Sequence, residues 1–162
     1  MNILGIDPGS EHSGYVLYGP TDRKLLLAVD PIPNAELRDF LKALDGRQTV
    51  IACEWMEAHG QPVGAEVFET AAWIGHFEDV AWCRGITFAR IKTSVMRRMI
   101  CHSNRANDSV VRQALIDEFG PGKEKAIGLK ASPGPLYAVK GHAWSALAIA
   151  IAWLWLQDDE AK

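Results

Sequence analysis

Near the C-terminal end, the stretch AWSALAIAIAWLWL runs for 14 residues without a charge, a glycine or a proline. A helix that is apolar on every side has to be covered on every side. It is also too short to cross a bilayer, which takes roughly 20 apolar residues. The stretch therefore reads as a helix buried within a globular domain, and the remaining sequence has to supply the layers around it.

Those layers can be read in order. ILGID and SGYVLYG are two short strands joined by a turn, and KLLLAVD is a third. NAELRDFLKALDG places Leu37, Phe40, Leu41 and Leu44 at helical spacing, with Asn34 as the expected N-cap and Gly46 beyond the end. TVIACEW is a fourth strand, and the loop HGQPVG leads to a long helical pattern around Val67, Ala71, Ile74 and Ala81. ITFARI is a fifth strand. KTSVMRRMI and DSVVRQALIDEF are helical, the second with Asp108 as expected N-cap and Gly120 as its stop. Residues 120–140, rich in Gly, Pro and Lys, read as a mobile loop, and a last helix follows from about His142 to Gln157. Three strands, then helices alternating with strands, imply an α/β fold with a mixed sheet.

With 162 residues, one domain spanning 1–162 is expected, large enough to bury about two thirds of the unfolded chain's surface. No basic segment followed by an apolar core marks a secretory leader. Cys53, Cys83 and Cys101 have no metal spacing and are odd in number, which suggests a reducing, cytoplasmic setting. The net charge of −3 is unevenly spread. Residues 1–83 hold 5 Lys/Arg against 13 Asp/Glu, whereas residues 84–140 hold 11 against 4. A cationic middle in an acidic chain is either scattered solvated charge or one face that meets a polyanion.

Two acids close apolar strands. Asp7 ends ILGID ahead of Pro8-Gly9, and Glu54 nearly ends TVIACEW. Asp7 can serve its own turn and Glu54 a surface ion pair. If the two strands are parallel neighbours, however, both carboxylates emerge at one sheet edge, where α/β folds collect ligands. Converging carboxylates repel unless a cation lies between them, and hard oxygen donors suit Mg²⁺ or Mn²⁺. Two such ions could serve phosphodiester hydrolysis. His142, at the start of the last helix, is either a structural histidine or a third ligand.

GIDPGSEHSGY, IACEW and HAWSALAIA, in that order, together with the basic RANDSVVRQAL, resemble the RuvC-type Holliday-junction resolvases of the ribonuclease H-like superfamily, in particular their compact phage-encoded branch. The resemblance covers nearly the whole chain. It implies a ribonuclease H-like fold with a five-stranded mixed sheet flanked by helices. It also implies a Mg²⁺- or Mn²⁺-dependent endonuclease for four-way or other branched DNA, with two ions per site held by Asp7, Glu54 and His142. The family has two acids on the last helix, at the positions of His142 and Ser145, so neither acid is present in this chain. Ser145 and Asp108 are accessory candidates. Cutting a two-fold symmetric junction further implies a homodimer, through the helix in residues 63–83. Phe68, Trp73, Phe77 and Trp82 cannot share one stripe of that helix, which suits burial on more than one side, either at a dimer interface or wholly inside the core of a monomer.

Candidate DNA contacts are Lys92, Arg97, Arg98, Arg105 and Arg112, with Lys123, Lys125, Lys130 and Lys140 in the following loop. Such contacts are sequence-independent and salt-sensitive. Tyr137 either stacks on an unpaired base or packs on its own loop. Trp73, Trp82, Trp153 and Trp155 read as core or interface, and Trp55 as a shield against water beside Glu54. Two other functions fit the same features: a YqgF-like nuclease that cuts RNA, and a junction-binding module that has lost catalysis. A sugar-kinase-like ATPase needs a much longer chain.

Overall fold

The computed structural model describes residues 1–57, 60 and 62–161. Strands β1 (Asn2–Asp7), β2 (His12–Gly19) and β3 (Lys24–Pro33) form an antiparallel meander. Helix α1 (Asn34–Ala43) then leads to β4 (Thr49–Trp55), which lies parallel to β1 on its far side. Helix α2 (Ala65–Cys83) leads on to β5 (Phe88–Lys92), parallel to β4. The five-stranded mixed sheet has the order β3-β2-β1-β4-β5. Next come α3 (Thr93–Cys101), α4 (Asp108–Phe119), the single turn α5 (Lys123–Ala126), the small strands β6 (Gly128–Leu129) and β7 (Ser132–Pro133), and α6 (Ala143–Glu160). Among the described residues, no helix is long and apolar enough to cross a membrane.

Side chains alternate across a strand, and the sheet divides the core accordingly. Leu4, Ile6, Ile51 and Cys53 point to one face, where Leu37 and Leu41 of α1 meet Ile74, Phe77 and Ala81 of α2. Ile3, Val16, Val50, Ala52 and Ile91 point to the other, against α3, α4 and α6. On that side α6 is enclosed. Every residue from Ala146 to Trp153 is buried, with β1, β2 and β4 beneath and α3 and α4 alongside. The apolar stretch is thus covered all round from Ala146 to Trp153, with Leu154, Trp155 and Leu156 half-buried beyond it. Gly5 makes the close approach possible, because a Cβ there would overlap the carbonyl oxygen of Ala146.

Several local expectations change. Asn107, not Asp108, caps α4, its side chain accepting from Val110 N–H at 3.0 Å, and Asp108 is the first helical residue. Asn34 does not cap α1. Pro33 occupies the cap position, and the buried Asn34 side chain is used elsewhere. The 120–140 segment carries α5 and the β6–β7 hairpin and is anchored by fully buried Ala126 and Leu136. Apolar anchors within a Gly/Pro/Lys-rich stretch outweigh its loop-like composition. Helix α2 is buried on one side only. Phe77 is fully covered, whereas Phe68 and Trp82 are 67% and 84% exposed. Of the loop HGQPVG, His59 and Gln61 lie outside the described residues.

Candidate active site

Strand alternation decides where the two acids go. Ile6 pairs with Cys53 across the parallel β1–β4 ladder, and both face the α1–α2 side. The next residues, Asp7 and Glu54, therefore face the α3–α6 side, at the carboxyl edge of adjacent strands. The two groups are close enough to interact. Burial first, and the Glu54 charge second, push the Asp7 carboxyl from 3.8 up to about 7, while a hydrogen bond and the charge of His142 pull it down. An acid with these neighbours is costly to ionise unless positive charge is supplied.

His142 reaches Asp7 because a helix end is brought down onto β2. Its Nδ1 lies 2.8 Å from Asp7 Oδ2, and the imidazole N–H donates across this contact when Asp7 is ionised. Gly14, the antiparallel partner of Asp7, makes room for it. A Cβ on Gly14 would stand 2.6 Å from His142 Cβ and 3.0 Å from its carbonyl carbon. From the edge strand β3, Asp30 Oδ1 accepts the His142 backbone N–H at 2.9 Å. Gly141, with φ of 41°, lies so close to that carboxylate that a side chain would collide with it. Asp30 thus supplies an acceptor that α6 otherwise lacks, since no side chain caps it.

The turn after Asp7 is held by a closed ring of hydrogen bonds. Ser13 Oγ accepts Gly9 N–H at 3.3 Å and donates to Asn34 Oδ1 at 2.6 Å, and Asn34 Nδ2 donates to the Gly9 carbonyl at 2.9 Å. Ser13 and Asn34 are both buried. This ring fixes the direction in which the chain leaves Asp7.

Glu54 has its own support. The Thr93 hydroxyl, at the start of α3, donates to Glu54 Oε1 at 2.6 Å. One residue on, Ser94 N–H and Oγ–H donate to Glu57 at 2.8 and 2.9 Å. Trp55 turns to the opposite face, where the Arg90 guanidinium lies 4.3 Å from its ring centre and also pairs with Glu78. Trp55 therefore packs with the α1–α2 core and does not shield Glu54.

Thus Asp7 is joined to both Glu54 and His142. Among the described residues, no group of three or more His, Cys, Asp or Glu side chains is arranged to hold a metal ion. The chemistry of the donors nevertheless fits a hard divalent cation. Two carboxylates at one edge, one of them held near 7 by burial and repulsion, gain from a positive charge placed between them. His142 is engaged with Asp7 in this conformation.

A cavity of about 630 Å³ opens beside these groups. Asp7, His142 and Ser145 line it together with Asp108, Arg112 and Lys140. Asp108 pairs with Arg97 at 3.0 Å across a largely exposed surface. Arg112 lies over the Trp144 ring, 4.6 Å from its centre. Arg98 and Arg105 are exposed on and after α3, Lys123 and Lys125 on α5, and Lys130 at the hairpin tip, with Tyr137 exposed nearby in sequence. Their elements pack on the face to which Asp7 and Glu54 point. Lys92 is the exception: it alternates with the inward Ile91 and so begins on the other side of β5.

Four contributors go beyond what the sequence reading singles out: Gly14, Asp30, Asn34 as a turn brace, and Thr93. Glycine inside a strand signals close backbone approach, and Asp30 ends an apolar run just as Asp7 does. Both are signals that the sequence carries. Nothing local distinguishes Asn34 or Thr93 from ordinary helix-start residues.

No protein-family model matches the sequence, and no curated protein does. Solved structures do match in shape. A Thermus thermophilus RuvC structure superposes with a TM-score of 0.69 at 19% identity, covering 99% of this chain and 97% of that one. A T. thermophilus RuvC in complex with Holliday junction substrate gives 0.66 at 20% identity, covering 94% and 92%. At such identities the likeness establishes the fold: this chain has the RuvC-like, ribonuclease H-like architecture over nearly its whole length.

Proposed function

We propose that this chain is a divalent-metal-dependent endodeoxyribonuclease that cuts branched DNA, with four-way junctions as its substrate and a homodimer as its working form. The observation that carries the reading is the Asp7–Glu54 pair at the edge of adjacent parallel strands, on the face against which the elements bearing Arg98, Arg105, Arg112, Lys123 and Lys125 pack. The RuvC architecture, also found in a protein solved with a Holliday junction, supports it.

In this reading Asp7 and Glu54 hold Mg²⁺ or Mn²⁺, which would supply a water activated at neutral pH and charge stabilisation for the leaving oxygen. His142 orients Asp7 and is the third candidate ligand, and Ser145 takes the place of an acid at the cavity wall. Arg112 and Lys140 line the same cavity and supply cations for the DNA backbone, with Arg98, Arg105, Lys123, Lys125 and Lys130 extending the basic face. The exposed stripe of α2, with Phe68 and Trp82 at its ends and Ala72 and Gly75 between, supports pairing of two copies.

A second reading, a junction-binding module without catalysis, is favoured by two observations: Ser145 stands where the resembled family has an acid, and no ready cluster of three ligands is present among the described residues. Incubating the protein with four-way, flap and duplex DNA and an RNA hairpin, in Mg²⁺, Mn²⁺ or chelator, separates the possibilities. Metal-dependent incision of the four-way junction that is lost in Asp7→Asn, with binding retained, is the expected result. Tight binding without incision in either metal selects the binding module, and preferred cleavage of the hairpin selects an RNA nuclease.

A further inference from the structure

The Thr93 hydroxyl is spent in an unusual way. A threonine at a helix start ordinarily caps it, accepting a backbone N–H of the first turn. Here Lys92 occupies the cap position, and its side chain makes no cap hydrogen bond. The Thr93 hydroxyl instead donates to Glu54 Oε1 at 2.6 Å, bridging 39 residues of sequence. The bond is partly buried, so water competes for it poorly. The neighbouring Ser94 grips Glu57 through both its N–H and its hydroxyl, which ties the segment after β4 to the same helix turn.

We propose that Thr93 is a positioning residue for Glu54: its hydroxyl occupies Oε1, fixes the carboxylate rotamer, and leaves Oε2 as the oxygen offered to a divalent cation shared with Asp7. The inference rests on the metal-dependent reading above and adds a residue on which metal affinity depends. The side chain of Glu54 has three rotatable bonds, and it is half-buried at a strand end. Without a donor on one oxygen, the carboxylate samples orientations that do not face Asp7. Outer partners of this kind are worth about 10- to 100-fold in metal affinity.

The test is direct Mn²⁺ binding by isothermal titration calorimetry, independent of cleavage, on wild type, Thr93→Val, Thr93→Ser and Ser94→Ala. Valine keeps the branched shape without the hydroxyl, and serine restores the donor. Ser94→Ala disturbs the same helix turn without touching Glu54. The expected result is that Thr93→Val weakens Mn²⁺ about 10-fold or more, while Thr93→Ser and Ser94→Ala remain within about 3-fold of wild type. If Thr93→Val fails to fold, Thr93→Ala takes its place with the same expectation. Equal Mn²⁺ affinity in wild type and the hydroxyl-free variant overturns the role of Thr93 and leaves the nuclease reading standing. Equal weakening in Ser94→Ala also overturns it, since helix disruption then explains the effect. A wild type that binds no Mn²⁺ overturns the metal-dependent reading and this inference together.

Discussion

Replacing Asp7 by Asn should stabilise the metal-free protein, and the gain should grow with pH. The Asp7 carboxyl is raised from 3.8 to about 7, first by burial and then by the charge of Glu54, with His142 opposing. An acid whose folded value lies above its unfolded value favours folding most when it is protonated in both states. Stability contributed by this site is therefore greatest below about pH 3.8 and falls as pH rises towards 7, because the unfolded chain releases a proton that the folded chain retains. Above about 7 the loss is complete. The interval from 3.8 to about 7 corresponds to about 4 kcal/mol. Relaxation and water entry around a side chain that keeps 15% exposure reduce the realised figure to about 2 kcal/mol. Asparagine copies the shape of the neutral acid, cannot ionise, and can donate to Glu54. Urea unfolding in chelator at pH 5, 6.5 and 8 measures the difference directly. Asp7→Asn should be more stable by about 2 kcal/mol at pH 8, and by clearly less at pH 5. A variant no more stable than wild type at pH 8, or an advantage that is constant across this range, would refute the argument.

Three other outcomes follow from contacts described above. Gly14→Ala places a methyl 2.6 Å from His142 Cβ and should cost about 1–3 kcal/mol in urea unfolding, with the ¹⁵N shifts of the His142 ring showing loss of the Asp7 contact; an unchanged ring spectrum would contradict the packing. Asn34→Ala breaks the ring at Gly9 and strands buried polar groups, so a loss of about 1–3 kcal/mol is expected, and a loss under about 0.5 kcal/mol would count against it. Charging the bare stripe of α2 with Phe68→Glu and Trp82→Glu should leave each chain folded by circular dichroism and yield monomers in sedimentation, whereas an unchanged mass would move the pairing surface elsewhere.

Much of the frame is legible from apolar periodicity. Strands β1, β2, β4 and β5, the long α2 and the fully buried α6 all follow from residues whose burial is set by their own pattern. The acid pair is legible too, because Asp7 and Glu54 each lie at the end of an apolar run, and a parallel β1–β4 ladder brings such ends to one edge. Contacts made by small polar side chains across long stretches of chain were less accessible. Asn34 and Thr93 carry helix-start chemistry in sequence, yet both spend their hydrogen bonds on the turn and strand ends beside them in space. The same competition explains Asp108: Asn107 takes the cap, and Asp108 turns to Arg97. Composition is least informative in residues 120–140, where three buried residues, Ala126, Leu136 and Val139, organise a segment rich in turn formers. Strand alternation places both Lys92 and Trp55 on the opposite side from the acids.

The enclosure of α6 also separates what this architecture can vary from what it must keep. From Ala146 to Trp153 the helix has no free side, so it cannot roll or slide without displacing β1, α3 and α4 together. Its first turn alone reaches the rim, and His142 and Ser145 sit there without contributing to the interior. If the proposed nuclease reading holds, exchange of rim side chains can therefore alter which cation or phosphate is preferred while the interior stays as it is. New chemistry can be tried at the mouth of such a helix at little cost to folding.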